Sequence, residues 1–170
     1  IIVGDNTAPV ITAAPADVDA DCNNVPAAEL ITSFTATDNC DPNVIITFRE
    51  EEVPGPCNDT YTLVRIWTTT DACGNTAEVS QDINVSDTTP PILSGVPTNV
   101  TVPCDAIPGP PSIGSQIFAT DDCDSNVEIV FDENIIPGDC PGSYIIDREW
   151  TAYDDCFNEV SVNQIITVFD

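Results

Sequence analysis

Three cysteines, a tyrosine and a tryptophan recur in this chain at one fixed offset. Cys40, Cys57, Cys73, Tyr61 and Trp67 are matched by Cys123, Cys140, Cys156, Tyr144 and Trp150, each 83 residues further on. Cys22 and Cys104 match at an offset of 82, and "DNTAPVI" at 5–11 is answered by "DTTPPIL" at 87–93. Such self-similarity constrains the fold more than any local propensity, because two copies of one pattern must make two copies of one module. The first repeat spans 5–86 and the second 87–170. Residues 1–4 read as the closing strand of a preceding repeat, since "IIVGD" at 1–5 resembles "INVSD" at 83–87 and "ITVFD" at 166–170. The expectation is a window from a longer array, or a subunit whose first strand pairs with a neighbour.

Each repeat reads as all strand. "VIITFRE" (44–50), "YTLVRIWTTT" (61–70) and "AEVSQDINV" (77–85) are rich in β-branched and aromatic residues and are bounded by Pro, Gly, Asn and Asp. The 15 prolines oppose helices. Alternation sets Tyr144, Ile146, Arg148 and Trp150 on the core face, because Ile145, Asp147, Glu149 and Thr151 are mostly polar. These features predict an all-β chain of two tandem Ig-like β-sandwich domains arranged end to end. Within each, 34–38, 44–50, 60–70 and 76–86 serve as strands B, C, F and G.

That placement orders the cysteines. The B–C loop "DNCDPN" and the F–G loop "DACGN" share one end of a sandwich, so Cys40 should meet Cys73. Cys22 and Cys57 share the other end and should meet each other. The second repeat gives Cys123–Cys156 and Cys104–Cys140 in the same way. Each loop so closed stabilises by about 3 kcal/mol in the chain-entropy model. With eight cysteines, no histidine and no CxxC, the pattern favours disulfides over zinc, and disulfides imply an extracellular or cell-surface compartment.

In combination, "D[NT]T[AP]P", an Asp-x-Cys-Asp loop, "Y…R.W" and "D-[AD]-C-[GF]-N" ahead of a strand ending "V.D" resemble the hyalin repeat (HYR) in its cysteine-rich tandem form. The resemblance covers both repeats. It implies an Ig-like fold and roles in cell adhesion and extracellular structure. Phe157 departs from it, standing where the first repeat has Gly74.

The charge balance is 29 acids against 3 arginines, a net −26. A surface this negative repels nucleic acid and anionic membranes and attracts cations. No run of 18 apolar residues inserts into a membrane. Without histidine or lysine the usual general bases are missing, and acids repeated at equivalent positions suit structure better than one active site, so no enzyme is expected. The acids cluster in the loops: Asp5, Asp38, Asp41, Asp71 and Asn75 in the first repeat, and Asp87, Asp121, Asp124, Asp154 and Asn158 in the second. Three segments bringing hard oxygen ligands to one tip predict calcium. The competing reading is that these residues only make turns beside a disulfide. "DVDAD" at 17–21 reads as a solvated strand face. Arg65 and Arg148 read as inward arginines beside tryptophan, each paired to a carboxylate, and Arg49 as a surface residue. Glycan acceptors are Asn58, Asn84, Asn99 and, through threonine, Thr88.

Together these features predict a disulfide-stapled, calcium-rigidified structural rod that forms or extends a filament, fibril or adhesin stalk. Its partners are neighbouring copies or repeats, end to end. A carbohydrate- or receptor-binding adhesin module is the alternative, as is an accessory domain of a secreted enzyme. A binding module should carry an exposed aromatic platform in one repeat only. The recurrence of Trp67 and Trp150 at core positions favours the rod.

Overall fold

A computed structural model describes residues 4–140 and 142–170. The closing-strand expectation for residues 1–4 therefore falls almost wholly outside the described residues. The chain divides into two compact units, Ile1–Asp87 and Thr88–Asp170. Asp87, expected to open the second repeat, belongs to the first unit.

Each unit is a small β-sandwich of Ig-like type, and no α-helix occurs among the described residues. In the first unit β1 (Val10–Ile11) pairs with β3 (Ala36–Thr37) in a two-stranded sheet. The larger sheet runs in the order β2 (Val18–Asp21), β6 (Thr76–Ser86), β5 (Tyr61–Thr70), β4 (Ile45–Pro54). The second unit repeats this. Strands β7 (Ile92–Ser94) and β9 (Phe118–Thr120) form the small sheet. The large one runs β8 (Val100–Pro103), β12 (Glu159–Phe169), β11 (Tyr144–Tyr153), β10 (Glu128–Pro137).

The sequence reading placed the three long strands, which pair as an antiparallel β4–β5–β6 meander, but it ended β4 early. The strand continues through Glu50, Glu51 and Glu52 to Pro54, which pairs with Tyr61. Charges are tolerated there because β4 lies at the edge of its sheet, where charged side chains discourage pairing with other chains. The short strands β2 and β8 run parallel to β6 and β12. Four residues of "VDAD" or "VTVP" carry too little periodicity to announce this.

The predicted core face of β11 is correct. Ile146, Arg148 and Trp150 are buried, with Ala152 beyond them, and β5 matches with Arg65, Trp67 and Thr69. Trp67 packs between Phe34 and Phe48, at ring-centroid separations of 4.6 and 5.3 Å, and Trp150 lies 5.0 Å from Phe131. Beside each indole a polar row crosses the sheet. Arg65 Nε donates to Glu50 Oε2 at 2.8 Å, and Gln81 Nε2 donates to the Ala16 carbonyl at 2.7 Å. Register places Glu50 opposite Arg65 and Arg65 opposite Gln81. The second unit copies the row with Arg148 Nε to Glu133 Oε2 at 2.7 Å and Gln164 Nε2 to the Thr98 carbonyl at 3.0 Å. Arg49 is exposed and pairs with Glu51 and Glu78.

Cys22, Cys57, Cys123 and Cys156 are disulfide-bonded. Cys40, Cys73, Cys104 and Cys140 carry free, exposed thiols, which departs from the expected Cys40–Cys73 and Cys104–Cys140 pairs. Burial and the nearby Asp5 and Asp38 carboxylates raise the Cys40 pKa. Nothing in the structure explains the unbonded state of these four cysteines.

The buried arginines make a specific demand on their carboxylates. Glu133→Ala should destabilise the second unit by about 3 kcal/mol, because it strands a buried guanidinium. Glu133→Ala combined with Arg148→Met should recover most of that loss. Each unit holds one tryptophan, so urea unfolding followed by fluorescence in a Trp67→Phe background reads the second unit alone.

Candidate cation site at the loop tips

The β3–β4 and β5–β6 loops meet at one end of the first unit, as expected. Asp38 opens the first of them. Its Oδ1 accepts the backbone N–H groups of Cys40 and Asp41 at 2.9 and 3.0 Å. Asp41 Oδ1 accepts from Asn43 N at 2.8 Å, and its Oδ2 reaches across to Ala72 N at 2.8 Å. Asp71 Oδ1 accepts from Cys73 N and Asn75 N, at 2.9 and 2.8 Å. Asn75 Nδ2 donates to Asp71 Oδ2 at 2.7 Å and to the Asp5 carbonyl at 3.3 Å, tying the incoming segment to the loop.

The second unit repeats the pattern. Asp121 Oδ1 accepts from Cys123 N and Asp124 N at 2.8 and 3.0 Å. Asp124 accepts from Asn126 N at 2.7 Å and from Asp155 N at 3.0 Å. Asp154 accepts from Cys156 N and from the backbone and side chain of Asn158, at 2.9, 2.8 and 2.7 Å.

This geometry sorts the expected ligands into two groups. Asp41 and Asp124 use both oxygens on backbone N–H donors, so they are turn and loop-bridging residues. Asn75 and Asn158 act as donors that lock the aspartate before them. The residues that converge are Asp5, Asp38 and Asp71, which place three carboxylate oxygens within 4.8 Å of one another. They come from three separate segments. Asp38 Oδ2 is buried with no hydrogen-bond partner, and so is Asp121 Oδ2 at the equivalent position. An all-oxygen set with a buried, unsatisfied carboxylate oxygen suits a hard divalent cation, which would complete its six to eight ligands with the remaining lone pairs and water. Asp87 is buried, as are Asp71, Asp124 and Asp154.

Electrostatics agree with this division. Backbone N–H groups of Cys40 and Asp41 hold the Asp38 carboxyl below its usual value. Burial pushes Asp71 upward, but hydrogen bonds from the Asn75 side chain and backbone and from Cys73 outweigh it, and the net shift is downward. Asp38 and Asp71 are therefore charged at neutral pH, in the state a cation requires.

The other expected positions lie elsewhere. Asp17 Oδ1 accepts from Asp82 N at 2.9 Å, and Asp19 Oδ1 accepts from Asn84 Nδ2 at 3.0 Å, so the "DVDAD" face staples β2 to β6. Asn99 takes the role of Asp17 in the second unit, its Oδ1 accepting from Ile165 N at 2.8 Å. Asn58, Asn84, Asn99 and Thr88 are all exposed. Sequence reasoning missed Gln81 and Gln164, although their 83-residue spacing was visible.

No family model matches the chain, and no curated protein does. Among solved structures, Drosophila N-cadherin EC1-4 is 13% identical with a TM-score of 0.39, covering 96% of this chain and 50% of that one. Mouse cadherin-23 EC22-24 is 14% identical with a TM-score of 0.38, covering 97% and 68%. The protocadherin gammaB4 extracellular domain is 15% identical with a TM-score of 0.36, covering 100% and 33%. The chain thus spans about half the length of the N-cadherin fragment, and likenesses this distant leave the fold resting on the strand pairing itself. No described helix is long and apolar enough to cross a membrane.

The two groups of aspartates separate experimentally. Asp41→Ala should cost about 1–3 kcal/mol whether or not calcium is present, because it orphans loop N–H groups. Asp38 and Asp71 contribute stability that is fully present above their unfolded carboxyl pKa and is lost as pH falls through the lower folded values. Carboxyl NMR titration should place both below the ordinary aspartate range. The acid fall in the urea midpoint should be shallower in Asp71→Asn.

Proposed function

We propose that this chain is a structural segment of an extracellular assembly, a run of stapled β-sandwiches stiffened by calcium and joined end to end with neighbouring copies or repeats. The observation that carries this reading is the convergence of Asp5, Asp38 and Asp71 from the incoming segment and two loops. A cation there ties the chain entering a module to that module's own loops, which stiffens the point where a tandem protein would otherwise bend. Without it, three carboxylates repel one another across a few ångströms. Asp121 and Asp154 stand in the second repeat where Asp38 and Asp71 stand in the first. The hyalin-repeat resemblance points the same way through its motifs.

The cysteines support an oxidising compartment. Each loop class is bonded in one repeat and free in the other: Cys22 and Cys57 against Cys104 and Cys140, and Cys123 and Cys156 against Cys40 and Cys73. The Cys73 thiol is near enough to help raise the Cys40 pKa. On oxidation the free thiols close in the pattern of their bonded counterparts. Peptide mapping of secreted material should then recover Cys22–Cys57, Cys40–Cys73, Cys104–Cys140 and Cys123–Cys156. A Cys22–Cys40 link would join opposite ends of a sandwich and sink the strand assignment.

Glycans belong on the exposed loops. Thr88 is a better acceptor than Asn84, whose amide donates to Asp19, or Asn99, whose carbonyl is engaged by Ile165.

The test of the calcium reading is calorimetry and small-angle scattering with calcium and with chelator, on the wild type and on Asp38→Asn. Binding to the folded form alone should raise the melting temperature with calcium, by an amount that grows with its concentration. Chelator should broaden the distribution of scattering dimensions. Asp38→Asn should lose most of the response while Asp41→Ala keeps it. Melting and shape that ignore calcium would leave the aspartates as turn residues only.

A further inference from the structure

The two β-sandwiches carry different residues at one equivalent loop position. The β5–β6 loop of the first unit turns at Gly74, with φ of 87°, where lack of a Cβ makes that conformation easy. The β11–β12 loop of the second unit makes the same turn at Phe157, with φ of 67°. A bulky L-residue is disfavoured there. No burial offsets the cost, because Phe157 is 85% exposed.

Beside Phe157 lies an open cleft of about 420 Å³ whose walls include Asn126, Glu128, Val130, Tyr153 and Asp155. The equivalent first-repeat positions are Asn43, Ile45, Thr47, Thr70 and Ala72. One repeat alone therefore brings two aromatic rings, an aliphatic side chain and two carboxylates together. Asp154 also borders the cleft, but its oxygens serve the loop.

The chemistry of this lining selects its ligand. Aromatic faces and carboxylates together favour a cation with a flat or apolar body. A guanidinium can stack on a ring and fork onto a carboxylate at once, which a compact hydrated ion cannot. The net charge of −26 attracts such a group from a distance. This chain is a poor source of it, since Arg65 and Arg148 are buried and Arg49 is paired to Glu51 and Glu78.

We propose that the cleft between Phe157, Tyr153 and Glu128 is a binding site for an arginine side chain of a different, basic polypeptide. It gives the second repeat a recognition function that the structural role does not require and that the first repeat lacks.

The probe is N-acetyl-arginine amide, titrated into the full isotope-labelled chain and followed by amide chemical shifts, in calcium and in chelator. Shifts should concentrate at 126–130 and 153–158 under both conditions. N-acetyl-citrulline amide, similar in shape but neutral, should bind at least about fivefold more weakly. Phe157→Gly installs the first repeat's residue, so it should fold with an unchanged or higher melting temperature. It should still weaken arginine binding about fivefold. Equal binding of citrulline, undiminished binding by Phe157→Gly, or loss of the response in calcium would each overturn the proposal. So would saturation of the same residues by cellohexaose in place of arginine, which would make the cleft a sugar site.

Discussion

A guanidinium buried beside an indole organises each repeat. The chain has almost no cations, yet two of its three arginines are inside. Burying a charge is costly unless it is paired and hydrogen-bonded, and the sheet supplies both. Glu50 and Glu133 sit directly across the strand pair, so the ion pair forms only in the correct register. A slip of one residue would turn the arginine to solvent and leave its partner on the opposite face. Gln81 and Gln164 extend the row to the short parallel strands, through the carbonyls of Ala16 and Thr98. The polar row thus fixes strand order as well as register, while Trp67 and Trp150 supply apolar burial beside it.

With the sheet fixed, its turns bring the loops together at one end. Most of the acids there have structural work: Asp41 and Asp124 bridge the two loops, and Asp71 and Asp154 cap a turn with the help of an asparagine. Satisfying loop N–H groups and holding a cation are compatible, because the hydrogen bonds that shape the turns also hold the Asp38 and Asp71 carboxyls below their usual value. Asp38 shows the division within one side chain. One oxygen makes the turn, and the other is buried without a partner. A framework that repeats its turn chemistry so closely also makes a departure easy to see. Phe157 keeps the backbone of its glycine counterpart while changing what the loop offers to solvent.

The sequence alone determined the module count and the class of fold, because the 83-residue offset and period-2 alternation are local patterns that need no knowledge of contacts. It also determined the inward placement of Arg65, Arg148 and the two tryptophans, since those residues share a strand face by parity. Tertiary structure decided what depends on distance between segments far apart in the chain. It brought Asp5, Asp38 and Asp71 of the first repeat together, because convergence depends on where each loop's hydrogen bonds aim a carboxylate. It paired β2 with β6 and β8 with β12, which strands of four residues are too short to signal. It also left Phe157 in solvent, where its sequence position had suggested only a lost glycine. Burial and convergence are sums over neighbours that a linear pattern does not contain.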